Sequence, residues 1–211
     1  MTKFLPIFPL NTVVFPGQAL HLHIFEPRYK QLISECWREK KNFGIPSVNK
    51  DNLSEYGAEM EITEVTKVYE TGEMDIKTKA TGIFRIIDVV REVPNKLYSA
   101  AVVYEVKYLP HDTTHLNPTL EDLMKKLHLI LKTGFDLRRK FPQPLSFDLA
   151  HYAVLTPEDQ YRLLTGISEK GRQWFLIQHL QKVIPELEAA EQVRSKVQLN
   201  GHFRREVPPN F

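Results

Sequence analysis

Hydrophobic and polar positions change rhythm about halfway along the chain. Up to about residue 109 they alternate, which is the period of a pleated strand. Leu20, Leu22 and Ile24 alternate with His21, His23 and Phe25, and Met60 and Ile62 with Glu59, Glu61 and Thr63. Met74, Ile76, Thr78 and Ala80 alternate with Asp75, Lys77 and Lys79. Between the last two runs, Glu70-Thr71-Gly72-Glu73 predicts a hairpin turn in which Gly72 takes a positive φ. Gly82 interrupts the alternation as a bulge does. Residues 83–90 are apolar on both faces and predict a buried strand. Val93-Pro94-Asn95-Lys96 predicts a turn and residues 97–108, rich in Val and Tyr, a last strand. Five or six such strands predict a small curled barrel or half-barrel. One helix interrupts them: Pro27 suits a first helical position, and Tyr29, Leu32, Ile33, Cys36 and Trp37 follow at helical spacing.

From about Asn117 the period lengthens to that of helices. Asn117-Pro118 caps and starts the first, with Leu120, Leu123, Met124, Leu127 and Leu131 on one face. Ser146 is expected to cap a second, and Thr156-Pro157-Glu158-Asp159 starts a third that carries Tyr161, Leu163 and Leu164. Ser168 opens a long helix with Trp174, Ile177, Leu180, Ile184 and Leu187 facing inward. Pro185 is expected to kink or break it, and Asn200-Gly201 to end it. The organisation predicted is a β-rich unit over residues 1–110, a helical bundle over 117–200 and an extended tail over 201–211, an α+β arrangement.

Composition narrows the function. Hydrophobic content of 42% with 26% charged residues is ordinary for a globular chain of 211 residues. Lys+Arg 28 against Asp+Glu 26 leaves +2, too weak a field to favour nucleic acid or a membrane surface. Cys36 is the only cysteine, so neither an internal disulfide nor a cysteine-built zinc site can form. Pro6 and Pro9 interrupt the apolar N-terminus as no secretory signal does, and no apolar run reaches the roughly 18 residues of a membrane span. A cytoplasmic location is expected.

Candidate chemistry is sparse. His21 and His23 project from one strand face, but two ligands do not define a metal site. His111-Asp112-Thr113-Thr114-His115 has a metalloprotease-like histidine spacing, yet it lies between Pro110 and Pro118 and is read as a connector. No Gly-Lys dipeptide occurs, so no phosphate-binding P-loop is present in this sequence. Ser195 and Lys196 are adjacent on a helix, and their side chains diverge. Cys36 sits on an apolar stripe as a small hydrophobe. Arg138-Arg139-Lys140 and Arg204-Arg205 read as solvated faces, and Glu26 and Arg28, flanking Pro27, as groups that hold the fold. No catalytic residue, metal or cofactor is expected.

The segment Leu5-Pro6-Ile7-Phe8-Pro9-Leu10, then Val14-Phe15-Pro16-Gly17, then Leu22-His23-Ile24-Phe25-Glu26-Pro27-Arg28-Tyr29 resembles the opening of the Lon protease N-terminal, substrate-binding domain. Phe43-Gly44-Ile45 and Gly82-Ile83-Phe84-Arg85-Ile86 continue the resemblance more weakly. It implies a PUA-like curled β-barrel with one inserted helix, followed by a helical bundle, and a role in engaging polypeptides or partner proteins. The ATPase and peptidase motifs of the protease do not appear within the 211 residues. The expected function is therefore a free-standing, non-catalytic polypeptide-binding module. A groove between barrel and bundle is its expected surface, with Phe15, Phe25, Tyr104, Phe135 and Phe211 as candidate contacts. The alternatives are an adaptor that docks on a protease or ligase through Pro208, Pro209 and Phe211, and, less favoured, an RNA-binding barrel. Unfolded client polypeptides, or a protein of a proteolytic system, are the partners expected, with weak self-association open.

Overall fold

Alternation produces six strands: β1 (Thr2–Pro6), β2 (Ala19–Ile24), β3 (Phe43–Asn49), β4 (Asn52–Val68), β5 (Met74–Val90) and β6 (Ala100–Val106). The structure is a computed structural model, and it describes residues 1–49, 52–107, 115–134, 136–140 and 145–202. Within these, two units separate: one takes the described residues of 1–109 and 155–167, the other those of 110–154 and 168–202.

In the first unit all strand pairs are antiparallel, in the order β1-β6-β5-β4-β3, with β2 also on β5. β5 holds β4 along one edge. Its other edge passes from β2, at Met74–Lys79, to β6, at Ile83–Val90. The handover falls at a bulge, where Glu59 faces Gly82 and Met60 faces Ala80, leaving Thr81 as the extra residue. A bulge bends and twists its strand, which curls the sheet at the position where Gly82 broke the alternation. The ends of the curl are joined by backbone bonds: Phe8 N–H donates to Gly44 O at 2.8 Å, and Val48 N–H to Leu10 O at 3.1 Å. The turns fall as expected, with Gly72 at φ 76° and Asn95 at φ 61°.

Residues 83–90 differ from expectation. Ile83 and Phe84 are buried, but Arg85, Ile87 and Asp88 are exposed. The β5–β6 register shifts between Ile86 and Asp88, so Ile87 is a second extra residue turned outward.

Helix α1 (Pro27–Glu39) buries Tyr29, Leu32, Ile33 and Cys36 in a core with Phe8, Phe43, Met60 and Ile76. Phe8 and Tyr29 meet edge to face at 4.2 Å between ring centres. Burial pushes the Cys36 thiol up to about 11, which fits its reading as a small hydrophobe. Trp37, expected on the buried stripe, is exposed, because it lies about 100° around the helix from Cys36. Arg28 turns back to Glu26, Nη2 to Oε2 2.7 Å, and stacks on Tyr29.

Glu35 straps α1 to the turn before β6. It accepts from Tyr98 Oη at 2.6 Å, Lys96 Nζ at 2.7 Å and Gln31 Nε2 at 3.1 Å, while Gln31 Oε1 accepts from Leu97 N–H at 2.8 Å. Burial acts to raise the Glu35 carboxyl, but these bonds together outweigh it and hold the group below the usual carboxylate range. A folded-state value below the unfolded one stabilises the fold above the unfolded value, near about 4.3, and that contribution fades as pH falls through the folded value. Glu35→Gln is expected to cost about 1.5 kcal/mol at pH 7. Urea midpoints measured from pH 6 to pH 3 should fall more steeply for the parent than for the variant. Parallel profiles would exclude this role.

Helix α2 (Pro118–Ile130) begins as expected, Asn117 Oδ1 accepting from Thr119 N–H at 2.9 Å. Then come α3 (Leu137–Lys140), α4 (Ser146–Leu149) with a 3-10 turn at Ala150–Tyr152, α5 (Pro157–Leu164) and α6 (Glu169–His202). Thr156 caps α5 by accepting from Asp159 N–H at 3.1 Å. α5 clusters with the barrel rather than with the other helices: Tyr161 Oη accepts from Tyr56 N–H at 3.2 Å, and the two rings meet edge-on at 6.3 Å. In the helical unit α2 packs on α6, and Leu120, Met124, Leu127, Ile177, Leu180 and Ile184 are buried. Trp174, expected inward, is exposed. α6 is unbroken at Pro185, which lies with Gln181 on an exposed turn where water can reach the carbonyl that the proline leaves unpaired. Among the described residues no helix is long and apolar enough to cross a membrane.

Candidate functional site

The three candidate contact residues that the structure describes, Phe15, Phe25 and Tyr104, do not meet at one place. Phe15 is 1% exposed, buried just before the Pro16-Gly17 turn, so its ring is not presented to a ligand. Phe25 is exposed and stacks on His23 at 6.1 Å. His23 Nδ1 lies 2.7 Å from Asp75 Oδ1, and Tyr69 Oη donates to Asp75 Oδ2 at 2.8 Å. These two bonds hold the Asp75 carboxyl below its usual range. His23 is thus engaged by a carboxylate. Phe135 and Phe211 lie outside the described residues, as do Pro208, Pro209 and most of the 111–115 histidine run. Among the described residues no group of three His, Cys, Asp or Glu is placed to hold a metal.

Tyr104 is the candidate whose surroundings resemble a recognition surface. Directly paired residues share a face of a sheet. Thr2 pairs with Tyr104, Tyr104 with Arg85, and Arg85 with Tyr56, so one transverse row crosses β1, β6, β5 and β4 on the outer face. The next row brings Phe4 opposite Val102, diagonal to Tyr104. Phe4 is 53% and Tyr104 49% exposed, and Ile87 projects from the bulge beside them. The inward positions of the same strands, Leu5, Ala101, Val103 and Phe84, are buried together. Arg85 lies over the Tyr56 ring at 6.0 Å and is held by Glu55, Nε to Oε2 3.0 Å. Such a face offers ring surface and one cation with little ordering to be done on binding.

Phe25 is not part of this face. It follows Ile24, which pairs with Met74, whereas Tyr104 pairs with Arg85, 85 − 74 = 11 residues further along β5. That is about 35 Å of strand contour. The sequence pattern marks none of Phe4, Tyr56 and Ile87, and Arg85 enters it only through the family resemblance. The signal available was the order Leu5-in, Phe4-out, and it is hidden because β1 has apolar residues on both faces.

The densest polar cluster lies in the helical unit. Glu169 Oε1 accepts from Ser146 N–H at 2.8 Å and Gln173 Nε2 at 2.9 Å, and Oε2 from Ser146 Oγ at 2.7 Å and Arg172 Nη2 at 2.8 Å. Gln173 also donates to His115 O at 3.1 Å and accepts from Asn117 N–H at 2.7 Å. Ser146, expected as a helix cap, is instead the first residue of α4 and a member of this cluster. All four side chains are buried and mutually satisfied, so the cluster ties α6 to α4 and to the start of α2 and has no group left to act on a substrate.

Comparison with known proteins bears on the fold and the family. Residues 4–199 match the family described as the ATP-dependent protease La (LON) substrate-binding domain. The structure is similar to that of a Lon N-terminal domain protein from Xanthomonas campestris, at 25% identity and a TM-score of 0.66, over 83% of this chain and 98% of that one. It is also similar to the N-terminal domain of Mycobacterium avium complex Lon protease, at 17% identity and a TM-score of 0.61, over 85% and 98% of the two chains.

Proposed function

The chain belongs to the family of ATP-dependent protease La (LON) substrate-binding domains, and we propose that it is a non-catalytic module that binds polypeptide on the outer face of β1, β6 and β5. The observation that carries this reading is the pair Phe4 and Tyr104, two aromatic side chains half in water on neighbouring positions of a sheet whose other face is packed. Exposed large apolar groups gathered on one face mark interaction surfaces, and aromatic residues dominate the energetics of such surfaces. Among the described residues β1 also stands at the end of the strand order and pairs with β6 alone along Thr2–Pro6, which suits the addition of one extended segment to the sheet. The fully satisfied Glu169 cluster and the P-loop-free sequence support a binding role over a catalytic one.

Outward-facing Phe4 and Tyr104 can be changed without touching the core. The double variant Phe4→Ser, Tyr104→Ser is expected to weaken binding of a fluorescein-labelled, reduced and carboxymethylated protein by about 10-fold or more, since truncating a buried aromatic anchor costs about 2 kcal/mol and each 1.4 kcal/mol is tenfold. Fluorescence anisotropy measures it. An unchanged dissociation constant in a variant with the parent's circular dichroism would refute the assignment of the face.

A further inference from the structure

Ser47 draws attention first. It is 4% exposed, and its hydroxyl has no hydrogen-bond partner among the described residues. A buried unsatisfied hydroxyl is uncommon and calls for an explanation. Ser47 lies in the wall of a cleft of about 170 Å³ in the barrel unit. The cleft opens where two paired segments part: Leu10 and Ser47 are the last bridged pair, after which the chain bends at Asn11-Thr12 while β3 runs on to Asn49. α5 supplies the opposite wall, with Pro157, Gln160 and Tyr161. Tyr161 connects the cleft to the transverse row through its bond to Tyr56 N–H.

The chemistry of the lining selects an occupant. At about 170 Å³ the cleft is smaller than the roughly 300–1,000 Å³ of cofactor and small-molecule sites, so it suits one side chain. Val13, Val48 and Pro157 give apolar wall, and Ser47, Ser54, Gln160 and Tyr161 give neutral hydrogen-bonding groups. Among the described residues Glu158 is the only charged residue of the lining; it is exposed and forms no ion pair there. An apolar stem with a cationic head matches this arrangement, because the described lining holds one carboxylate and no cation to pair with an anion. We propose that this cleft receives a lysine or arginine side chain of the bound polypeptide, with Glu158 pairing the charge and the Ser47 hydroxyl accepting a hydrogen bond. The inference rests on the polypeptide-binding reading and adds to it a preference for basic residues.

Three amidated tripeptides, acetyl-Ala-Lys-Ala, acetyl-Ala-norleucine-Ala and acetyl-Ala-Glu-Ala, test it by titration into ¹⁵N-labelled protein. The lysine peptide should shift the amides of Thr12, Val13, Val48, Ser54, Gln160 and Tyr161 and bind at least fivefold more tightly than the norleucine peptide, with no saturable shift from the glutamate peptide. Glu158→Gln should abolish the preference for lysine over norleucine. Ser47→Ala, which removes the unpartnered hydroxyl, should weaken lysine-peptide binding at least threefold without lowering the melting temperature. Equal binding of the lysine and norleucine peptides, shifts outside the cleft, or a Glu158→Gln variant with its preference intact would overturn the proposal. If the carboxymethylated protein still binds through Phe4 and Tyr104 under those outcomes, the polypeptide-binding reading stands and the basic-residue preference alone fails.

Discussion

Replacing Glu169 with alanine should lower the stability of the helical unit by about 3–5 kcal/mol, the cost of leaving a buried charge without its partner. Arg172 is 6% exposed and pairs with Glu169 Oε2 at 2.8 Å. Its Nε also donates to Ser146 Oγ at 2.9 Å, and its guanidinium lies 4.3 Å from the Phe147 ring centre. Without the carboxylate, the buried Arg172 guanidinium loses this anionic partner, and the N–H of Ser146 and the amide of Gln173 lose acceptors as well. Urea denaturation followed by far-ultraviolet circular dichroism reads the loss directly. A change under 1 kcal/mol would mean that the cluster does not hold α4 and α6 together.

Phe84→Ala should cost a similar amount in the barrel unit, about 3–5 kcal/mol, the range for removing a buried phenylalanine. Phe84 is fully buried with Leu5, Ile7, Ala101 and Val103. Its seat is shaped by two glycines. A Cβ on Gly57 would stand 2.5 Å from Ile45 O and from Pro46 Cα and 2.7 Å from the Phe84 ring, and one on Gly44 would stand 2.8 Å from the same ring. Because backbone as well as side chain closes the seat at Gly57, it has little room to collapse around an alanine at position 84, which places the expected loss high in the range. Thermal unfolding of the variant measures it. A midpoint within about 2 °C of the parent would contradict the assignment of Phe84 to the barrel core.

Local chemistry made much of this fold legible in the sequence. Asn117, Thr156 and Ser168 each bond a backbone N–H two or three residues on, so composition over four residues suffices to place those helix starts. Gly72 and Gly82 likewise mark a turn and a bulge within their own hairpin. The misplacements of Trp37 and Trp174 have a different source. Both flank a buried stripe, and helical spacing gives the stripe without telling which of its shoulders a neighbour covers. The same limit applies to β5 beyond Phe84, where the shift in register decides that Ile87 faces water.

The candidate site was legible only in part. Phe15 and Tyr104 are alike as large aromatic residues, and nothing in their immediate neighbours separates the buried one from the exposed one. Tyr104 becomes recognisable once Thr2, Arg85 and Tyr56 are brought level with it, across separations of 102, 19 and 48 residues (104 − 2, 104 − 85, 104 − 56). Ser47, Glu169, Arg172 and Gln173 were silent for the same reason: their significance lies in partners, or the lack of one, far along the chain.

Polypeptide binding on the outer face of β1, β6 and β5 is the property from which the rest follows. Titration of a reduced, carboxymethylated protein into the ¹⁵N-labelled chain, followed by amide shifts, tests this most directly. The prediction is a saturable response concentrated at residues 2–5, 85–88 and 102–105, joined only by the cleft residues around Val48 and Tyr161, with strand β2 and the buried face of α1 unmoved. Saturable shifts that leave residues 2–5, 85–88 and 102–105 unmoved, or no saturable response at all, would contradict it.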